Sequence, residues 1–170
     1  EDQLNSLFIK FKDLADSKKE VTDMDLESLI LEQSRSENNK QFLTLESVQV
    51  ECGNKIDPKA KIELINETGN KIKTESNGTG PVDAVCKAID KTISFTSKLT
   101  EFSVNSVTEG IDALGEVTIR VENKKGRTFT GIGSDSDIVV ASAKAYLNAI
   151  NRQVQMMNEG SESPGSGAGR

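Results

Sequence analysis

Apolar positions change period as the chain proceeds. Leu4, Leu7, Phe8, Phe11 and Leu14 recur at helical spacing, with Lys10, Lys12 and Asp13 on the other side, which predicts an amphipathic helix ending near Ser17. Thr22 suits an N-cap, and Asp23 and Asp25 suit the first turn of a second helix that turns Leu26, Leu29 and Ile30 inward and ends before Ser34. Two short helices cannot bury both of their apolar faces alone, so this hairpin is expected to pack on something else. Ser34 to Lys40 is polar and aperiodic and reads as a linker. Beyond it the period becomes two. Phe42, Leu43, Leu45, Val48 and Val50 predict a first strand, Lys59 to Ile65 a second and Lys71 to Thr74 a third, with turn signals between them. A helix starting near Pro81 follows, and Val82, Val85, Cys86, Ile89 and Ile93 are spaced to cover one sheet face.

The same construction then recurs. A shift of 57 positions without gaps superposes Val50 on Val107, Gly53 on Gly110, Ile62 on Ile119, Asn66 on Asn123 and Gly69 on Gly126. It also superposes Val82 on Val139, Ala84 on Ala141, Lys87 on Lys144, Ala88 on Ala145 and Ile93 on Ile150. The second copy predicts strands over Thr100 to Glu109, Gly115 to Glu122 and Arg127 to Ile132, then a turn from Gly131 to Asp137 and a helix from Asp137 to Asn151. The fold class read from this pattern is α+β: two tandem βββα units packed as an internal pseudo-two-fold repeat, preceded by a helical hairpin. A lone unit would leave a sheet face bare, so the two are expected to cover each other, with residual apolar surface driving dimerisation. The chain divides into a helical segment 1–33, a linker 34–41, a main domain 42–155 with units of about 42–98 and 99–155, and a polar tail 156–170 expected to be disordered.

Gly78-Thr79-Gly80-Pro81-Val82-Asp83-Ala84 is the stretch with chemical potential. Glycine permits close backbone approach, Pro81 fits the first helical position, and a helix start offers unpaired N–H groups and the positive end of a dipole. Two readings fit the same residues: a connection from strand to helix, and a site for a carboxylate or phosphate.

Composition narrows the function classes. A net charge of -6 gives no electrostatic footprint for nucleic acid or an anionic membrane. No apolar run approaches the roughly 20 residues of a membrane span and no signal peptide opens the chain, so a soluble, cytoplasmic protein is expected, or a stromal one in a plant plastid. Cys52 and Cys86 lack metal-ligand spacing and read as small hydrophobes. Histidine is absent, which removes the commonest general base, histidine-dependent nucleophile pairs and histidine-ligated zinc. The start at Glu1, inside a predicted helix and without methionine, leads to the expectation of a piece cut from a longer protein.

Gly78-Thr79-Gly80-Pro81-Val82-Asp83-Ala84, Val107-Thr108-Glu109-Gly110-Ile111-Asp112-Ala113-Leu114-Gly115 and Asp137-Ile138-Val139-Val140-Ala141-Ser142-Ala143 together resemble the C-terminal regulatory domain of 2-isopropylmalate synthases. Phe11 to Asp16 and Lys18 to Asp23 resemble the short helical subdomain that precedes it. The resemblance implies an allosteric module for leucine feedback, dimeric through this domain and attached to a catalytic TIM barrel. The parent's divalent metal and acetyl-CoA would belong to that barrel, and no cofactor is implied for the residues here. The coupling would run through the helical hairpin, which makes Ser34 to Lys40 a hinge.

For the effector site, the resemblance implies that the backbone at Gly78 and Gly80 and the helix start at Val82 and Asp83 form one side. Leu99, Phe102 and Ser106 form another, and Asp112, Ala113 and Gly115 close it. Ser134 and Ser136 join from the matching loop of a second copy. Each has a plainer reading. Leu99 and Phe102 suit a core strand, Asp83 suits the helix dipole, and Asp112 can bond its own backbone. The competing functions are the isoleucine-sensing domain of citramalate synthase, whose members tend to carry a bulky aromatic where this chain has Val82, and a dimerisation module without ligand. A free-standing enzyme using Asp83, Asp112 or Asp137 is disfavoured by the missing histidine.

Overall fold

The computed structural model describes residues 2–17, 21, 26, 41–106, 110 and 113–162. The elements are α1 (Asp2–Ser17), β1 (Leu43–Gly53), β2 (Ile56–Asn66), β3 (Lys71–Asn77), α2 (Pro81–Asp90), β4 (Lys98–Ser106), β5 (Gly115–Glu122), β6 (Thr128–Asp135) and α3 (Ile138–Glu162). The strands form two three-stranded antiparallel sheets ordered β1-β2-β3 and β4-β5-β6, so the fold is α+β with two βββα units. Of the expected second helix only Leu26 is described, in helical geometry beside Leu4, Leu7, Phe8 and Phe11 of α1. Thr22, Leu29, Ile30 and the 34–40 linker lie outside the described residues.

The duplication holds to individual hydrogen bonds. At the β2–β3 turn the Asn66 N–H donates to the Asn70 carbonyl and the Gly69 N–H to the Asn66 carbonyl, while Asn66 Oδ1 accepts from the N–H groups of Thr68 and Asn70. At the β5–β6 turn Asn123, Lys125, Gly126 and Arg127 repeat this scheme. Gly69 and Gly126 stand at φ 83 and 79, the left-handed region that demands glycine there.

One core serves both units. Ala60, Ile62 and Leu64 from β2 and Ala84, Val85, Ala88 and Ile89 from α2 are buried in one cluster with Val117, Ile119, Val121 and the inner face of α3. Each sheet turns its apolar positions toward the helices and its polar ones to water. On the outer face of the first sheet, Lys71 pairs with Glu46 and Glu63 at 3.1 Å each.

The two helices sit on their sheets differently. Gly131 and Gly133 were expected at a turn matching the first glycine loop, but they lie within strand β6, directly under Ala141, Ala145 and Ala149 of α3. A Cβ at Gly131 would overlap the Ala145 carbonyl, and one at Gly133 would overlap that of Ala141. The corresponding positions in the first unit are Thr74 and Ser76, and the Thr74 hydroxyl donates to the Ala88 carbonyl at 2.7 Å. The strand boundary moves with this correction. β6 runs to Asp135 rather than ending at Ile132, and only Ser136 and Asp137 turn the chain into α3.

Helix α3 continues past Asn151 to Glu162, so the first residues given to the polar tail are helical. Buried Gln153, and Val154 and Met156 packed against the core, explain the extension. Asn151 is buried and bridges to the first unit: Oδ1 accepts from the N–H groups of Phe42 and Leu43 at 3.1 and 3.0 Å, and Nδ2 donates to the Leu43 carbonyl at 2.8 Å.

Candidate functional site

The chain leaves β3 at Asn77 and is pinned at once, because the Gly78 N–H donates to the Pro58 carbonyl at 3.0 Å. Ala84 N and Asp83 Oδ2 occupy the space where a Cβ on Gly78 would stand, so the fold itself requires glycine there. Gly80 differs. It is the N-cap of α2 in extended geometry that any residue adopts, and a Cβ there would meet nothing within 4 Å. No side chain caps this helix start. Ala84 makes the first intrahelical bond, to Gly80, and the N–H groups of Val82 and Asp83 have no partner among the described residues.

Asp83 is committed to the loop through one oxygen. Its Oδ2 accepts from the Thr79 N–H at 2.8 Å and the Thr79 hydroxyl at 3.3 Å, and pairs with Lys87 Nζ at 2.8 Å. The Lys87 hydrogen bond, and after it the Thr79 N–H, hold the carboxyl below its ordinary value. The other carboxylate oxygen has no hydrogen-bond partner among the described residues.

The face of α2 bearing Val82 and Asp83 overlooks a groove of about 370 Å³ whose other wall is β4, with Leu99 and Phe102. A strand normally turns residues three apart to opposite faces. The register shift in which Leu99 pairs with Val121 and Glu101 with Arg120 restores them to one face, beside Val121 and Ile119. These two side chains are not sealed in the core. They are 40% and 41% exposed, because α3 covers β5 and β6 and leaves β4 open.

The other expected residues gather elsewhere. Ser106 pairs with Gly115 at the far end of β4, and Gly115 pairs with Asp135 and abuts Ile138 at the start of α3. Ser134 is buried in β6, Ala113 is half buried with its N–H donating to the Gly110 carbonyl at 3.3 Å, and Ser136 is exposed. Asp112 lies outside the described residues. Leu99 and Ser106 pair with Val121 and Gly115, six steps apart on β5, a span of about 20 Å. Within one chain the expected site is therefore two groups, not one pocket.

The second group surrounds a helix start that is already closed. Asp137 Oδ1 accepts from the N–H groups of Val139 at 2.8 Å and Val140 at 3.3 Å. Of the two duplicated helix starts, the first alone lacks a side-chain cap, and it has Gly80 where the second has Asp137.

Five groove residues were not anticipated: Cys86, Lys87, Asp90, Ser97 and Tyr146. The Tyr146 hydroxyl donates to Asp90 Oδ1 at 2.5 Å, and the Ser97 hydroxyl donates to Gln153 Oε1 at 2.5 Å. Burial raises the Asp90 carboxyl, while the bond from Tyr146 opposes the rise. Burial, with Asp90 and Asp83 nearby, pushes the Cys86 thiol up to about 12, so it stays protonated and unreactive. The repeat held one signal for this cluster: the 57-residue shift places Tyr146 over Ile89, a polar tip at a core position. Among the described residues no three Cys, Asp or Glu side chains gather as metal ligands, and no helix is long and apolar enough to cross a membrane.

A duplicated α+β domain with one open helix start above a groove fits a family of regulatory domains. The chain belongs to the LeuA allosteric (dimerisation) domain family, whose model matches residues 20–154. It is similar to the 2-isopropylmalate synthase of Prochlorococcus marinus strain MIT 9211, 50% identical over 153 residues, which cover 90% of the chain and 28% of the relative. The same enzyme of Olsenella uli is 49% identical over 155 residues (91% and 30%), and that of Trichodesmium erythraeum 47% over 162 residues (95% and 29%). The chain thus spans less than a third of the length of these relatives.

Proposed function

We propose that this chain is the leucine-sensing allosteric domain of a 2-isopropylmalate synthase, acting as a homodimer to give feedback inhibition of acetyl-CoA-dependent acyl transfer by the parent enzyme. The observation that carries the reading is the open start of α2, with two unpartnered N–H groups above a groove walled by exposed Leu99 and Phe102. An α-amino acid presents a carboxylate to the Val82 and Asp83 N–H groups, favoured further by the helix dipole. The bare Gly80 lets it approach, the free oxygen of Asp83 faces its ammonium group, and its side chain lies against Val82, Leu99 and Phe102.

Burying a leucine side chain contributes about 1.5–3 kcal/mol, and an allosteric coupling of about 1–3 kcal/mol is typical. The second group of residues, Ser106, Ala113, Gly115, Ser134 and Ser136, is too distant to touch the same small ligand within one chain. In the proposed dimer a second copy brings its own group to the open face of β4 and completes the enclosure.

Calorimetry of the chain with leucine, isoleucine and valine tests this. The expected outcome is leucine binding at least about 10-fold tighter than valine. Preference for isoleucine would move the chain to the citramalate synthase reading, and no heat with any of the three at millimolar concentration would leave a dimerisation module without ligand. The exposed apolar strip of β4 is the feature that favours this last alternative.

A further inference from the structure

Groove and linker lie in different parts of the chain, and one helix touches the surroundings of both. On its groove side α3 carries Tyr146, which holds Asp90 in the last turn of α2, and Gln153, which holds Ser97 just before β4. Tyr146 and Gln153 are seven residues apart, two helical turns, so they share a face. On another face stands Asn151, whose amide takes both N–H groups of Phe42 and Leu43 and donates to the Leu43 carbonyl. These are the first backbone groups of the domain after the linker, and they are bonded to a side chain 108 and 109 residues away.

We infer that Asn151 is a positioning residue through which occupancy of the groove is passed to the point where the linker joins the domain. The inference rests on the leucine reading given above. A ligand seated between α2 and β4 bears on Asp90 and Ser97, and both are tied to α3. Helix α3 is seated against backbone at Gly131 and Gly133, with no compressible side chain beneath, so it answers as a rigid body. Its movement carries Asn151 and, with it, Phe42 and Leu43. The three bonds at Asn151 are buried, so the link has no solvent to swing into, and breaking it takes a buried acceptor from both N–H groups. Phe42 and Leu43 are buried too, so the same step anchors the first residues of the domain after the linker.

The test uses the full-length parent enzyme with Asn151→Ala, which alters nothing that lines the groove. Leucine binding by calorimetry is expected to stay within about 3-fold of wild type, while turnover at saturating leucine rises about 5-fold or more toward the uninhibited rate. Asn151→Asp keeps an oxygen that accepts both N–H bonds but loses the donor to the Leu43 carbonyl, so it should retain more inhibition than Asn151→Ala. If Asn151→Ala does not fold, Asn151→Ser carries the same comparison. Leucine bound and inhibition intact in the alanine or serine variant overturns the coupling and leaves the leucine reading standing. A wild-type enzyme that binds no leucine overturns both.

Discussion

Gly78 and Gly80 stand two residues apart and have opposite reasons to be glycine. At Gly78 a methyl group would strike the backbone of Ala84, so Gly78→Ala should cost about 1–3 kcal/mol in denaturant unfolding, whatever the ligand does. At Gly80 the space is open, so Gly80→Ala should cost at most about 1 kcal/mol as a poorer N-cap. It should nevertheless weaken leucine binding about 10-fold or more by filling the approach to the helix start. The sequence showed both glycines but could not separate them, because the difference lies in what the helix places beside each. Asp83 and Asp90 also separate by environment. Asp83 is held below its ordinary value, so its contribution to stability is present above the unfolded carboxyl value and is lost as pH falls through the folded one. Asp90 is shifted upward from an ordinary value near 3.8, so the folded state binds the extra proton and stability falls as pH rises from there through the folded value. Asp90→Asn should therefore flatten that fall, measured as unfolding midpoints at about pH 4 and about pH 7.

Hydrophobic spacing was enough to reveal every described strand and the helices that cover them, because each unit alternates apolar positions against one core. It did not reveal how closely each helix sits. Gly131 and Gly133 look like turn residues in a one-dimensional pattern, yet they form a seat for Ala141, Ala145 and Ala149 that only the folded pair displays. Gly131→Ala should cost about 3 kcal/mol, since the obstructing atom is a backbone carbonyl that cannot yield. Thr74→Val, at the matching position of the first unit, should cost only about 1 kcal/mol by removing one hydroxyl bond to Ala88. Equal losses at the two sites would contradict the difference in seating. The bulge at Thr100 was equally hidden. Leu99 and Phe102 were expected together, but their odd spacing allows it only because the register shifts between Leu99 and Glu101.

In the whole molecule, β4 is the strand that the duplication left uncovered on its helix side. Leu99, Phe102 and Val104 are 40%, 41% and 44% exposed along it, an apolar strip suited to the dimerisation that names the family. Val104→Lys stands outside the groove and should convert a dimer into monomers in sedimentation, with leucine affinity falling in parallel if two copies share the enclosure. A monomeric variant with unchanged affinity would show that one copy suffices. The split of the expected residues into two groups was not legible in the chain, since a span along a strand becomes a distance only when the strand's ends are placed. Tyr146 carries a practical consequence. With one tyrosine and no tryptophan in 170 residues, its ring is the dominant ultraviolet fluorophore, and its hydroxyl rests on a carboxylate at the groove floor. The domain is therefore born with its own optical gauge: light emitted near the floor should change as the space above it fills, with no dye attached.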